Sequence, residues 1–223
     1  NTMGDYLRKW GFTPQKPKKK AYEQCPKKVQ KWLDEEYPEI QKRAKVENVE
    51  IQWGDETGVR NNCQHGRSYA PKGKTPTKRS MSKRFSTNMI STVTNQGKVQ
   101  FMIYSENMNS DKFIEFLNQL IKNNEQKIFL ILDNLRVHHS HIVKDWIAQN
   151  REKIELFFLP AYSPEKNPDE YLNCDLKQGL SSKPAPKNQE KLKENLENHM
   201  QMLSQNPERV KKYFNHKDIH YAA

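Results

Sequence analysis

Three acidic residues stand where this sequence could hold a divalent cation. Asp55 closes a stretch of alternating apolar and polar residues, which is the period of a β-strand. Asp133 follows the apolar run at 128–132, typical of a strand buried on both faces. Glu170 lies on a helix predicted to start at 167–168. Because ligands gather beyond the carboxyl ends of strands in open α/β sheets, we expect the three carboxylates to lie together.

Carboxylates in one place repel each other unless a cation neutralises them, and oxygen ligands suit Mg²⁺ or Mn²⁺. Three carboxylates can hold two such ions about 3.5–4 Å apart, which clamps the attacking and leaving oxygens of a phosphodiester. Taken singly, each acid also has a structural interpretation. Asp55 precedes a turn, Asp133 could cap the chain, and Glu170 fits a capping box with Asn167. Their order along the chain favours the metal site.

The elements that must position these acids are predicted from apolar periodicity and turn residues. Strands are expected over 49–55, 85–95, 98–105, 128–132 and 154–159, with turns at Gly58 and 95–97. Helices are expected over 1–11, over 26–46 with an interruption at Pro38, and from about Ser110, Ser140 (with Ile142 among its inward residues) and Asn167. A last amphipathic helix carries Leu192, Leu196, Met200 and Leu203. This order predicts an α/β domain with a mixed sheet.

The chain has 223 residues and a formal net charge of +11, which favours a polyanionic partner such as nucleic acid. Two segments concentrate the basic residues, and each is interpreted either as a solvated surface or as a DNA contact that neutralises phosphates. The candidate DNA-binding residues are Lys18, Lys19, Lys20, Lys72, Lys74, Lys78, Arg79, Lys83 and Arg84.

Several classes of protein are disfavoured by composition. Cys25, Cys63 and Cys174 are widely spaced, which argues against a disulfide framework and a zinc site and suits a reducing compartment. No apolar run approaches the roughly 18–20 residues of a membrane span. No signal peptide is visible, and the first residue is Asn rather than Met, which suggests a fragment of a longer product.

Four blocks of the sequence resemble insertion-sequence transposases of the IS630 group, within the Tc1/mariner superfamily. They are Trp-Gly-Asp-Glu-Thr-Gly (53–58), Ala-Pro-Lys-Gly-Lys-Thr-Pro (70–76), Leu-Asp-Asn-Leu-Arg-Val-His-His (132–139) and Leu-Pro-Ala-Tyr-Ser-Pro-Glu-Lys-Asn-Pro-Asp-Glu (159–170). The resemblance implies an RNase H-like fold with a DDE catalytic triad. It also implies a winged helix-turn-helix remnant and basic linker over 1–20. The catalytic domain would then span 21–223, with its core at about 47–182 and C-terminal helices over 187–215.

The resemblance assigns the triad and its metal ligands to Asp55, Asp133 and Glu170. Between the last two lie 36 residues, close to the mid-thirties spacing of the superfamily. Asp169 is the alternative third acid, and only one of these neighbours can face the metal, because adjacent helical residues point about 100° apart. Possible supporting residues are Asn134, His138 and His139. The sequence departs from the family at Tyr69 and Lys166, where Trp and Leu are usual.

The implied function is a DNA transposase that uses Mg²⁺ or Mn²⁺, in two ions, to cleave DNA at element ends. Its 3′-hydroxyl ends would then be joined to target DNA. The resemblance further implies terminal inverted repeats as partners, insertion at TA dinucleotides, a homodimer, and a place in the bacterial cytoplasm with the nucleoid. Two alternatives remain open: an RNase H-type nuclease, and a catalytically inactive DNA-binding remnant that lacks the family's full N-terminal region.

Overall fold

The computed structural model describes residues 2–15, 20–61, 69–75, 77 and 82–223. Its five strands are β1 (Glu50–Arg60), β2 (Ser86–Val93), β3 (Val99–Tyr104), β4 (Ile128–Leu132) and β5 (Ile154–Phe158). Its α-helices are α1 (Thr2–Lys9), α2 (Pro26–Lys31), α3 (Tyr37–Glu47), α4 (Ser110–Asn123), α5 (His141–Gln149), α6 (Asp169–Ser181), α7 (Gln189–Ser204) and α8 (Pro207–Lys211). Among the described residues, no helix has the length and apolar character needed to cross a membrane.

The strands form one sheet in the order β3-β2-β1-β4-β5. The pairs β1–β2 and β2–β3 are antiparallel, whereas β1–β4 and β4–β5 are parallel. The predicted mixed α/β sheet is therefore confirmed. The fully apolar strand β4 lies between two parallel neighbours and is buried along its whole length, as an apolar run without alternation predicts.

Helices cover both faces of the sheet. Trp53 and Ile131 face one core, to which α6 and α7 contribute Leu172, Leu176, Leu196 and Met200. Leu130 and Leu132 face the other core, which holds Phe113, Phe116 and Leu117 of α4. Successive side chains of a strand point to opposite faces, so the two cores divide β4 residue by residue. Asp55 and Asp133 follow the same alternation, two residues after Trp53 and Ile131.

Four expectations about the elements are wrong. The first strand does not end at Asp55, and Gly58 is not a turn, because β2 supplies antiparallel partners as far as Arg60. Ile142 does not face inward but is 57% exposed at the start of α5. Pro38 does not interrupt the second helical segment, because a π-helical turn over Trp32–Glu36 precedes it and Pro38 occupies the first turn of α3.

The carboxylate of Asp175 joins α6 to the C-terminal helices. It accepts hydrogen bonds from His199 Nε2 (3.1 Å), from Nε and Nη2 of Arg209 (2.8 Å each) and from the Tyr213 hydroxyl (2.7 Å). Burial acts to raise the pKa of Asp175, but these hydrogen bonds outweigh it and hold the pKa well below its ordinary value. The network fixes α6, which carries the candidate third acid, against α7 and α8.

Candidate active site

The strand register brings Asp55 and Asp133 to the same edge of the sheet. Trp53 of β1 pairs in parallel with Ile131 of β4, so two residues further on Asp55 stands level with Asp133, just beyond the end of β4. Helix α6 begins beside them and packs on β1. As a result, Asp55, Asp133 and Glu170 line one cavity of about 460 Å³. The structure thus brings the three predicted acids together.

The pKa of Asp55 lies far above its ordinary value. Burial, together with the neighbouring charges of Asp169 and Glu170, raises its pKa to about 9. Burial also raises the pKa of Glu170. Buried carboxylates with raised pKa values gain from a cation, because its charge offsets both the lost hydration and the mutual repulsion. This donor set therefore fits a hard divalent cation.

Asp169 and Glu170 point in different directions from the first turn of α6. Asp169 is fully buried, and its Oδ2 accepts a hydrogen bond of 2.8 Å from the Ser91 hydroxyl of β2. Its Oδ1 has no hydrogen-bond partner among the described residues. Burial raises its pKa well above the usual value. Glu170 is half-buried and lines the cavity.

Two asparagines, Asn167 just before α6 and Asn173 within it, attach this segment to β1 at Gly54 and Asp55. Asn167 donates from Nδ2 to the Gly54 carbonyl (2.9 Å), while its Oδ1 accepts from the Asp169 amide (3.1 Å). Asn173 donates from Nδ2 to Asp55 Oδ2 (3.2 Å). Sequence reasoning missed both as site residues. Helical spacing was a usable signal for Asn173, which lies three residues after Glu170 and so on the same side of the helix.

Close packing at Gly54 brings these elements together. A Cβ atom there would lie 3.0 Å from Leu132 Cδ2 and 3.0 Å from the Ser91 carbonyl oxygen. Neither neighbour can move freely, because the carbonyl belongs to β2 and Leu132 is fully buried at the end of β4. The glycine therefore allows the three central strands to approach each other next to the acids.

A second ionisable group, made of Glu56, His138 and Asp133, lies next to the first. The buried His138 ring contacts Glu56 Oε1 from Nε2 (2.8 Å), and its Nδ1 faces the Asp133 carbonyl oxygen (3.2 Å) and Oδ1 (3.5 Å). Burial alone would lower the pKa of His138, but the bond to Glu56 outweighs it and the net shift is upward. One ligand atom from each residue lies within 4.8 Å of the other two. Sequence reasoning missed Glu56, although strand alternation places it on the opposite face from Asp55.

Of the other predicted supporting residues, Asn134 lines the cavity and His139 does not. Asn134 donates from Nδ2 to the Leu159 carbonyl at 2.5 Å, which links the loop after β4 to the segment after β5. His139 packs on Phe158 with ring centroids 4.3 Å apart. Lys166 does not enter the cavity lining but donates to the Asp218 carbonyl at 3.1 Å.

Part of the predicted DNA-contact set lies in the described chain. The exposed members are Lys20, Lys72, Lys74, Lys83 and Arg84. Tyr69, which is also exposed, lies between β1 and β2, as do all of these except Lys20. Lys18, Lys19, Lys78 and Arg79 lie outside the described residues. The described members fall in segments outside the helices and strands, as their proline, glycine and lysine content predicts.

The family comparison shows the class of enzyme to which this fold belongs. The sequence profile of the DDE superfamily endonucleases matches residues 50–193, and the chain belongs to this family. A winged helix-turn-helix profile matches residues 1–36. The predictions of a DDE-type enzyme and of an N-terminal helix-turn-helix region are therefore confirmed. A comparison with curated protein sequences gave no match.

Solved structures of the Mos1 mariner transposase share the fold. The Mos1 strand transfer complex aligns with a TM-score of 0.66 and 19% identity, covering 100% of this chain and 70% of that one. The mariner Mos1 paired end complex with Mg aligns with a TM-score of 0.67 and 18% identity over the same shares. The Mos1 catalytic domain gives 0.55 and 14%, covering 94% and 97%. The chain therefore shares its fold with a mariner transposase, whereas membership of the Tc1/mariner superfamily and of the IS630 group stays a prediction.

Proposed function

We propose that this chain is the catalytic core of a DNA transposase that cleaves DNA at element ends and joins the 3′-hydroxyl ends to target DNA. The observation that carries the proposal is the meeting of Asp55, Asp133 and Glu170 on one cavity in a chain of the DDE endonuclease family. The shared fold with Mos1 structures, which include a paired end complex and a strand transfer complex, supports the choice of transposition.

We assign the metal site to the same three acids, with Mg²⁺ or Mn²⁺ as the ions and two ions as the number. When bound, the ions would activate the attacking oxygen and stabilise the leaving oxygen of the phosphodiester. The protein supplies carboxylates held in position before the ions arrive. A pKa of about 9 keeps Asp55 protonated at neutral pH without a cation, so cation binding is coupled to release of that proton.

Glu170 rather than Asp169 is the third acid in this proposal. The Glu170 side chain lines the cavity beside Asp55 and Asp133, while Asp169 is fully buried and bonded to Ser91. Asp169 then acts from behind the site, as a buried acid that anchors the start of α6 to β2. Glu56 supports Asp133 through His138, because the His138 ring contacts the Glu56 carboxylate with one nitrogen and the Asp133 carbonyl oxygen with the other.

DNA is the partner that we assign to the exposed basic residues. The exposed lysines and Arg84 would neutralise DNA phosphates, and the segment over 1–20 represents the end of a winged helix-turn-helix with its basic linker. The catalytic domain over 21–223 follows. Element ends with inverted repeats, a homodimer and the bacterial nucleoid complete the proposal, all by analogy with the family that the sequence resembles.

Plasmid nicking tests the proposal. Purified chain is incubated with supercoiled plasmid and Mn²⁺ or Mg²⁺, next to the Asp133→Ala variant and an Asp145→Ala control from the exposed surface of α5. The proposal predicts metal-dependent nicking by wild type and control alone, and joined products when DNA with a free 3′-hydroxyl is added. Nicking without joined products indicates an RNase H-type nuclease. DNA binding without nicking indicates an inactive remnant.

A further inference from the structure

The loop after β5 presents an aromatic ring at the mouth of the acid cavity. Tyr162 lines the cavity and is 58% exposed. Its backbone has φ of 58°, in the left-handed region that tyrosine rarely adopts. Buried contacts therefore do not account for the position of the ring. Unfavourable backbone conformations of this kind persist where the surrounding structure enforces them, and they concentrate at ligand sites.

Hydrogen bonds from distant parts of the chain hold this loop. Gln24, which precedes α2, donates from Nε2 to the Tyr162 carbonyl (3.0 Å), the Ser163 hydroxyl (3.1 Å) and Glu165 Oε1 (2.8 Å). The Tyr221 hydroxyl donates to the Lys166 carbonyl at 2.7 Å. Together with the Asn134 bond to Leu159, these contacts fix the loop at its start, its centre and its end. The ring of Tyr162 is thus an exposed group on a constrained support.

The cavity lining is chemically mixed. Beside the three acids and the polar residues Asn134, Arg136, Ser163 and Asn167, it has an apolar part formed by Leu135, Leu159, Pro160, Ala161, Tyr162 and Pro164. Leu135 is itself 36% exposed beside Asp133. An apolar wall offers nothing to a phosphate, but it fits the flat face of a nucleobase, which every base presents irrespective of sequence. The volume of about 460 Å³ lies in the range of small-ligand pockets, about 300–1,000 Å³.

We propose that Tyr162, with Leu135, is a stacking platform for an unpaired base of the DNA strand whose phosphate lies at the acids. The inference rests on the proposed function, because the acids fix where the phosphate must lie and the attached nucleotide must then enter the same cavity. A base inside the helical stack cannot reach such a recess, so the platform selects strand ends that are already open or have been opened. The ligand is a nucleobase of single-stranded or frayed DNA, without preference for one base.

Fluorescence of 2-aminopurine tests the platform. The probe is placed in a three-nucleotide 3′ overhang of a pre-cleaved duplex with Mg²⁺ present, and a blunt duplex of equal length serves as reference. Wild-type chain should quench the probe on stacking. Tyr162→Phe should retain quenching and affinity, because it keeps the ring. Tyr162→Asn removes the ring at a position where Asn tolerates positive φ, so this variant should fold with an unchanged melting temperature.

The expected result for Tyr162→Asn is loss of quenching and about five- to a hundredfold weaker binding of the overhang duplex, the range for one stacked base. Its affinity for the blunt duplex should stay unchanged. Wild type that fails to quench, or Tyr162→Asn that quenches and binds like wild type, overturns the platform. The plasmid assay distinguishes this inference from the proposed function. A chain that nicks plasmid but does not quench the probe contradicts only the stacking platform, while a chain that quenches the probe but does not nick plasmid contradicts the proposed function.

Discussion

Two aspartates on helix α6 have opposite environments. Asp175 receives hydrogen bonds from three side chains of the C-terminal region, and its pKa is held low. Asp169, six residues earlier, has one hydrogen bond from Ser91 and an unpartnered oxygen among the described residues, and burial raises its pKa. A buried charge whose partners are all present stabilises a fold. A buried acid next to other acids, with no basic side chain hydrogen-bonded to it among the described residues, adds to the repulsion that a cation bound at the neighbouring acids would offset.

The largest expected effect separates the two neighbours at the start of α6. Glu170→Gln should lower metal-dependent nicking about a thousandfold, because a cation ligand that faces the cavity is lost. Asp169→Asn should lower nicking less than tenfold, since the amide oxygen can still accept from Ser91. Rates of plasmid nicking at saturating Mn²⁺ measure both. The reverse ranking would make Asp169 the third acid and would contradict the assignment.

Asp175, the second aspartate of the comparison, is expected to affect the stability of the fold and not the nicking reaction. Asp175→Ala should lower the free energy of unfolding by about 2–3 kcal/mol, because Arg209, His199 and Tyr213 lose their acceptor. For a chain of this size, that corresponds to a melting temperature lower by roughly 4–12 °C. Calorimetry of Asp175→Ala against the exposed-site control Asp145→Ala measures the change. Equal melting temperatures would show that the network contributes nothing.

Asn173 tests how far α6 prepares Asp55 for a cation. Asn173→Ala removes the hydrogen bond to Asp55 Oδ2 and should weaken Mn²⁺ binding about tenfold, the usual size for a group that orients a ligand. Isothermal titration gives the affinity, and Asn195→Ala, on the half-buried side of α7, serves as the matched control. A variant that binds Mn²⁺ as wild type does would assign Asn173 to packing alone.

The last comparison is the slope of stability with pH, which has opposite signs at the two sites. Asp55 has a folded pKa of about 9, above its unfolded value near 3.9, so the folded state binds more protons between these values. Stability without cations should therefore fall as pH rises from about 4 to 9, by at most about 1.4 kcal/mol per pH unit for one group. Asp175, with its lowered pKa, contributes stability above pH 3.9 that is lost on further acidification.

Denaturant unfolding in chelator from pH 5 to 9 checks the sign. Asp55→Asn should flatten the decline, because the amide does not titrate, whereas Asp175→Asn should leave the decline intact. A stability that rises steadily to pH 9 in the wild type would show that Asp55 ionises normally in the folded protein.

The site was predictable from sequence to the extent that it depends on the register and order of strands. The apolar run before Asp133 and the alternation before Asp55 placed two acids at strand positions that a parallel pairing brings level. The third acid needed the family resemblance, since spacing alone left Asp169 and Glu170 equal. Burial distinguishes them, and burial depends on how α6 packs over β1 and β2.

What sequence reasoning could not supply came from long-range contacts. The length of β1 was underestimated because its last residues are held by β2, whose pairing partners lie some thirty residues away in the chain. Glu56 gave no signal of its own, since its role depends on His138, which lies 82 positions later. The Gln24 contacts to the loop at 162–165 likewise join segments that no local pattern relates.

The most direct test of the central claim is the melting temperature with and without Mn²⁺, measured for wild type, Glu170→Gln and Asp175→Asn. A cation that binds the folded state alone raises the melting temperature by mass action. We predict that Mn²⁺ stabilises wild type and Asp175→Asn by the same increment, although the latter starts lower, and that Glu170→Gln gains little or nothing. Equal increments in all three proteins would contradict a cation site at Asp55, Asp133 and Glu170.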